Sequence, residues 1–404
     1  MSKQVIKCGK LFDAANEKVL ENVLVYVDGN KIEKISTSGE STEGYEVVDL
    51  SDKFVTPGLI DCHVHLTMNG EGSTTYAPYQ TIGDFTLKAM RSAQADLMAG
   101  FTTLRSLGDM GYVDVALRNA INRGEVVGPR LLVSGPCLGT TGGHADSHYN
   151  PYITESIAMG NIGDGPDALR QCARYNIKHG VDLLKFMSTG GVMSLGTTVG
   201  AQQMTADEMA AVIEIANMYG LTTATHAHGT EGIKCAVKAG VTSVEHGMIL
   251  DDECIEEMVK RGTYLVPTII AAERIVVKGA SIGTPEWAIK KAEQVLSTHR
   301  NGFQKARAAG VKIAFGTDAA TPFNFHGKQG YEFELLQGFG MTALEALTAA
   351  TKTASELVRK SHEIGSIEAG KLADIAAFET DPREDIKAME KCCFVMKDGV
   401  IHKR

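Results

Sequence analysis

Phe54-Val55-Thr56-Pro57-Gly58-Leu59-Ile60-Asp61-Cys62-His63-Val64-His65-Leu66 reads as a turn followed by a buried strand that ends in two histidines. Side chains alternate faces along a strand, so His63 and His65 point one way while Cys62 and Val64 point the other. Two imidazoles on one face at the carboxyl end of a strand make half of a metal site. Taken alone, the pair is as well explained by polar residues closing a strand. What lies downstream decides between the two.

Downstream, one pattern recurs: an amphipathic stretch, a glycine, then an apolar β-rich run. Met98-Ala99-Gly100 precedes Phe101–Leu107, Lys178-His179-Gly180 precedes Val181–Met187, and Met218-Tyr219-Gly220 precedes Leu221–Thr225. Lys238-Ala239-Gly240, Lys260-Arg261-Gly262 and Ala308-Ala309-Gly310 repeat it before Val241, Thr263 and Val311. Glycine just past a helix end takes the left-handed conformation without steric cost. Each unit is therefore helix, cap, short turn, buried strand. Strands that are apolar throughout belong to a parallel sheet covered on both faces.

Strands are expected near Leu59–His65, Thr102–Leu107, Arg130–Gly135, Asp182–Met187, Thr222–His228, Ser243–His246, Tyr264–Ile270 and Lys312–Asp318. This α/β alternation predicts a (β/α)8 TIM barrel with insertions at 136–166 and 272–290. A doubly wound open sheet would show a Gly-rich dinucleotide fingerprint after its first strand, and none is present. Residues 1–56 read as short strands and turns, with Asp28-Gly29 as a hairpin signal. Strand character returns after the last barrel helix, near 344–359, at Asp374–Phe378 and Cys393–Lys397. We therefore expect residues 1–56 and 360–404 to form one small composite β-sandwich domain, with the barrel at 57–359. Two unrelated flaps are the competing arrangement.

The 404 residues are 44% hydrophobic and 22% charged, ordinary globular values that allow a large core. A net charge of -9 argues against a nucleic-acid surface or a polybasic membrane patch. No apolar run approaches a membrane span, and the first residues lack a secretory h-region, so the chain reads as cytoplasmic. Its eight cysteines include no Cys-x-x-Cys pair and are expected to be buried, reduced thiols.

Barrel active sites form at the carboxyl ends of the strands. The polar residues there are His63 and His65, Lys185, His226 and His228, Glu245 and His246, and Asp318. A polar group in a buried strand is costly unless it is paired or bound to metal. An ammonium cannot ligate a metal. A neutral buried lysine that takes up CO2 becomes a carbamate, whose two oxygens can bridge two cations, and burial favours the neutral form. For Lys185 a salt-bridged or snorkelling lysine is the alternative.

This constellation resembles the amidohydrolase superfamily in its binuclear form, over nearly the whole chain. The resemblance is carried by Thr56-Pro57-Gly58-Leu59-Ile60-Asp61-Cys62-His63-Val64-His65 and by Gly365-Ser366-Ile367-Glu368-Ala369-Gly370-Lys371-Leu372-Ala373-Asp374-Ile375. It implies a first metal held by His63, His65 and Asp318, and a second held by His226 and His246. Carbamylated Lys185 and a hydroxide would bridge the two. Two divalent ions, zinc being the usual one, are the implied cofactors. They would activate the bridging water and polarise the scissile carbonyl, and Asp318 would carry the proton from the water to the leaving amine.

Within that superfamily the chain is most similar to the imidazolonepropionase-like group with its prolidases, carboxypeptidase-like dipeptidases and ochratoxin-degrading amidases. Gly142-Gly143-His144, Lys185-Phe186-Met187-Ser188-Thr189-Gly190-Gly191, His226-Ala227-His228-Gly229 and Glu245-His246-Gly247 carry this likeness. It implies that His144 contacts the substrate carbonyl. His228 either touches the substrate carboxylate or supports a metal ligand. His148 and Tyr149 are weaker substrate-binding candidates, and Gly190-Gly191 offers either backbone donors or a plain turn. His179, His299, His362 and His402 are assigned no role, and His326 is left open. The implied partner is a small molecule, a dipeptide such as Xaa-Pro or an N-acyl amino acid, acted on by a homo-oligomer. A cyclic amidase or deaminase, and a catalytically inactive assembly protein, are the competing functions. Lys185 argues against a mononuclear deaminase, and the complete ligand set argues against an inactive scaffold.

Overall fold

The computed structural model describes residues 3–37, 39–70, 79–146, 160–194, 198–282 and 284–404. Strands β1 (Gln4–Asp13), β2 (Lys18–Asp28), β3 (Lys31–Thr37) and β4 (Glu46–Pro57) open the chain. Without a break in direction the chain passes from β4 into β5 (Leu59–Val64), the strand that carries His63. Helix α1 (Ile82–Met98) follows, started by a capping box in which Thr81 and Asp84 satisfy each other's backbone N–H groups.

The barrel strands then come in order: β6 (Phe101–Ser106), β7 (Arg130–Val133), β8 (Cys137–Gly139), β10 (Leu183–Met187), β11 (Thr222–Ala227), β12 (Ser243–His246) and β13 (Tyr264–Val266). Between them lie α2 (Val113–Asn122), α3 (Pro166–Lys178), α4 (Ala206–Met218), α5 (Thr230–Ala239) and α6 (Asp252–Arg261), while β9 (Gly160–Ile162) adds to the outer edge of β8. All barrel pairings are parallel. The third barrel strand is split at Pro136: β7 pairs with β6, and β8 pairs with β10. The eighth strand, 312–318, has no ladder of its own. It closes the barrel through bridges from Ile313 to Leu265 and from Ala319 to Val64.

The seventh strand is shorter than the expected Tyr264–Ile270. Thr268 adopts φ 47°, and α7 (Ile269–Lys278) starts there. The buried Glu332 carboxylate caps this helix from far along the chain, accepting from the N–H groups of Ile269 and Ile270 at 2.8 and 2.7 Å. The expected insertion at 272–290 is thus the end of α7, a 3-10 turn and the start of α8 (Glu286–Ala308). Helices α9 (Tyr331–Gly338), α10 (Ala343–Thr348) and α11 (Ala354–Leu357) follow, the last two joined by a π turn at Ala349–Thr353.

The chain ends in β14 (Ile375–Phe378), β15 (Cys392–Lys397) and β16 (Val400–Lys403). These join the first four strands in one seven-stranded sheet of order β16-β15-β14-β4-β1-β2-β3, so the expected composite β unit is present. It has its own core, including Ile6, Val25, Val55, Ile375 and Phe394. The cysteines are all free thiols, but Cys172, Cys235 and Cys393 are only partly buried, a departure from the expectation of full burial. Among the described residues no helix is long and apolar enough to cross a membrane.

Arg130 on β7 clamps the barrel to this sheet. It donates to Asp374 at 2.7 Å and to Asp398 at 2.6 Å. Removing one partner of a largely buried pair leaves an uncompensated charge. Arg130→Met is expected to lower stability by about 3 kcal/mol, read as a drop in the urea midpoint. An unchanged midpoint would show that the clamp contributes nothing.

Candidate metal centre and active site

The parallel strands deliver their terminal side chains to one rim. His63 and His65 come from the end of β5, Lys185 from β10, His226 and His228 from the end of β11, His246 from the end of β12, and Asp318 from the end of the closing segment. All are buried, with Asp318 the most exposed at 7%. The rings of His63 and His246 are 5.0 Å apart, those of His226 and His246 4.6 Å, and those of His226 and His228 4.5 Å. Asp318 Oδ1 lies 3.3 Å from His63 Nε2 and 3.0 Å from His65 Nε2. Donor atoms of His63, His246 and Asp318 all fall within 4.8 Å of one another. That group takes members from both expected ligand sets, because His63 sits between Asp318 and His246.

Strand alternation alone would send Glu245 and His246 to opposite faces. Both turn inward, because His246 adopts φ 69°. Asp318 does the same at φ 59°. A left-handed non-glycine residue costs roughly 1–2 kcal/mol, and such strain collects at functional sites. The cost aims these two side chains into the cluster.

Each imidazole is oriented from behind. His63 Nδ1 meets Glu245 Oε2 at 2.9 Å, His65 Nδ1 meets the Gly108 carbonyl at 2.8 Å, and His246 Nδ1 meets Thr268 Oγ1 at 2.6 Å. In all three the other nitrogen, Nε2, is left for the cluster. Among the described residues His226 Nε2 is buried with no hydrogen-bond partner, and Asp318 Oδ1 faces the imidazole nitrogens of His65 and His63. Unpaired buried polar atoms are rare in folded proteins and point to an ion or water that completes them. Nitrogen and carboxylate donors converging in this way suit a divalent metal such as zinc.

Burial pushes His63 down to about 4 and His228 to about 3, and holds His226 and His246 well below the usual imidazole range. These rings are neutral near pH 7, the form that ligates metal. Burial also works against charging His65, but the Asp318 carboxylate outweighs it and raises that group. Asp318 itself is resisted by burial yet held below the carboxylate range by His63, His65 and Lys185. Lys185 is 1% exposed, and burial lowers its ammonium below the usual value. The ion pairs here join Glu245 to His63 and Arg105, and Asp318 to His63 and His65; among the described residues none includes Lys185. Among the described residues the salt-bridged alternative for Lys185 is therefore absent, and burial favours a neutral amine against the opposing pull of Glu245 and Asp318.

His144 reaches the same cluster from the loop after β8, with its ring 4.1 Å from that of His226. Ser194 Oγ contacts its Nδ1, and Gln203 Oε1 accepts from its backbone N–H at 2.9 Å. Gly191 makes room for it: a Cβ there would lie 2.3 Å from the His144 ring. This gives Gly191 a packing role beside the two readings considered for the Gly190-Gly191 pair. His148 and Tyr149 lie outside the described residues.

His326 is buried between Asp96 (2.7 Å from Nδ1) and the His65 carbonyl (3.1 Å from Nε2), so it supports the end of β5 rather than facing the site. His299, expected on a helix with no role, is fully buried on α8, and among the described residues neither ring nitrogen has a hydrogen-bond partner. Arg105, Thr268 and Ser194 were not singled out by the sequence reading. The charge of Arg105 inside a wholly buried strand was the one available signal.

The model of the amidohydrolase family matches residues 54–402. Ochratoxinase from Aspergillus niger is 33% identical over 358 residues, covering 83% of this chain and 72% of that protein. A crystal structure of a Xaa-Pro dipeptidase with methionine bound in its active site superposes with a TM-score of 0.93 at 38% identity, over all of both chains. A prolidase complexed with N-methylphosphonate-L-proline does so with a TM-score of 0.91 at 29% identity, again over all of both.

A metal that binds only the folded chain stabilises it by mass action, by about 2.7 kcal/mol at 100 times its dissociation constant. Zn2+ added to chelator-treated protein is expected to raise the melting temperature. His226→Ala and Asp318→Ala should each lose most of that rise, and equal rises in variants and parent would rule out these ligands.

Proposed function

The chain belongs to the amidohydrolase family, and from that premise we propose that it is a metal-dependent hydrolase of amide or peptide bonds to an amino acid with a free carboxylate. Xaa-Pro dipeptides are the leading substrates, followed by N-acyl amino acids and ochratoxin-type amides. The observation that carries the reading is the convergence of the buried metal-donor side chains His63, His226, His246 and Asp318 beside Lys185, a buried lysine that makes no ion pair among the described residues. The likeness to a Xaa-Pro dipeptidase and to a prolidase holding a proline analogue supports the substrate class. The catalytic unit in this reading is residues 57–359, with 1–56 and 360–404 as the companion β domain.

His63, His65 and Asp318 would hold one divalent ion and His226 and His246 a second, with Lys185, carbamylated by CO2, between them. Zinc suits these donors. When bound, such ions supply an acidified water and a polarised carbonyl. The protein supplies the rest. Asp318, ionised in the resting site, takes the proton released as water attacks and returns it to the departing amine nitrogen. His144 donates to the carbonyl oxygen as negative charge develops there. His228, whose Nδ1 is buried with no hydrogen-bond partner among the described residues, is the group we assign to the substrate carboxylate.

Removing one such oxyanion donor costs about 100- to 1000-fold in turnover. His144→Ala is therefore expected to lower kcat on its best Xaa-Pro or N-acyl amino acid substrate by about 100-fold while metal content stays at the parental level. Release of a free amino acid with two metal equivalents supports the proposal. Ammonia release with one equivalent would replace it with a deaminase, and absence of both metal and turnover with an inactive scaffold.

A further inference from the structure

Behind His63 lies a buried charged pair that neither binds substrate nor faces the cluster. Arg105 comes from β6, and Glu245 and Ser243 come from β12, in a different sheet. Arg105 is 1% exposed and the other two are fully buried. Arg105 donates from Nε to the Cys62 carbonyl at 2.6 Å, from Nη1 to Ser243 Oγ at 3.0 Å and from Nη2 to Glu245 Oε1 at 2.9 Å. The Ser243 hydroxyl also donates to Glu245 Oε1, at 2.5 Å. One carboxylate oxygen is thus committed to Arg105 and Ser243. The other, Oε2, faces His63 Nδ1 at 2.9 Å.

We propose that Glu245, oriented and charge-compensated by Arg105, is a positioning residue that fixes His63 in the tautomer protonated at Nδ1. The inference rests on the metal-centre reading above. An ionised carboxylate only accepts hydrogen bonds, so His63 must donate to it from Nδ1. The lone pair is then on Nε2, the nitrogen beside Asp318. The Arg105 guanidinium, 2.9 Å from Oε1, is the buried charge that pairs with the Glu245 carboxylate. Arg105 also grips the backbone one residue before His63, so the same guanidinium sets the strand and the carboxylate that orients its ring.

The arrangement has a distinctive consequence. In Glu245→Gln one acceptor oxygen faces three claimants, Arg105, Ser243 and His63, of which the Ser243 hydroxyl can turn to accept from the amide instead. The guanidinium makes the stronger, charge-assisted bond and takes it. The amide NH2 then points at His63 Nδ1, turning that nitrogen into an acceptor and moving the ring proton to Nε2, where it blocks metal ligation. Removing Arg105 as well frees the amide oxygen for His63 and restores the original tautomer.

The test is competition for Zn2+ between a chelating indicator and the parent, Glu245→Gln, Arg105→Met and the double variant. Glu245→Gln should bind about 10- to 100-fold more weakly, with the unfolding midpoint of the metal-free protein retained. The double variant should bind more tightly than Glu245→Gln alone. Long-range 1H–15N spectra of metal-free protein with 15N-labelled histidine rings should show His63 protonated at Nδ1 in the parent and at Nε2 in Glu245→Gln. If Glu245→Gln does not fold, Glu245→Asp, which keeps the charge but retracts it, should weaken Zn2+ binding without changing the tautomer. Parental affinity in either single Glu245 variant, or a double variant weaker than Glu245→Gln, overturns this inference alone. A parent that binds no Zn2+ overturns the metal-centre reading with it.

Discussion

A short set of backbone hydrogen bonds closes the barrel, and the site exists only because they do. Leu265 and Lys312, then Ala314 and Leu265, join the eighth segment to β13 at 2.9 Å each. On its other side Cys62 donates to Phe315 at 2.9 Å, Asp318 to His63 at 2.7 Å and His65 to Ala319 at 3.1 Å. This last group alternates donors between the first and eighth strands over the very residues that carry His63, His65 and Asp318. The closeness demands glycine at 316, where a Cβ would sit 2.3 Å from Val266 and 3.1 Å from the His63 Cβ. Opening this seam would separate Asp318 from both imidazoles before any side chain had turned.

Closure also removes water, and the chain answers that cost in two ways. Arg105 and Glu245 cancel one another inside the barrel, so a charge needed for orientation is kept without being left alone. His63, His226, His228, His246 and Lys185 instead shift toward their neutral forms. Neutral nitrogen donors with free lone pairs are what a cation requires, so the desolvation that makes the interior hostile to charge prepares it for a metal. Asp318, flanked by His63 and His65, is the carboxylate that stays ionised at the rim itself.

Much of this was legible in the chain. The helix–Gly–strand repeat located the barrel strands, and polar residues at the ends of apolar strands had little reason to be there unless they met. His63, His65, Lys185, His226, His246 and Asp318 all follow from that rule. Its failures are instructive. Arg105 escaped because only the last polar residue of each strand was considered and Ser106 follows it. How Glu245 and His246 can both turn inward was not legible, because a left-handed residue at a strand end is a property of tertiary context. The seventh strand was drawn too long because Glu332, remote in sequence, caps the helix that interrupts it. The place of His144 depends on a missing side chain at Gly191, an absence that periodicity does not register.

The composite sheet has a bearing on how the protein comes into being. Strand β4 pairs on one side with β1, available almost at once, and on the other with β14, which is made only after the whole barrel has emerged. During synthesis the β4 edge that awaits β14 is therefore an open row of N–H and C=O groups, directly continuous with the strand that bears His63. Strands β14 to β16 act as the fastener of a structure whose first half has been waiting for them. Ribosomal pausing or truncation near the carboxyl end would expose that edge to pairing with other chains rather than merely shorten the protein.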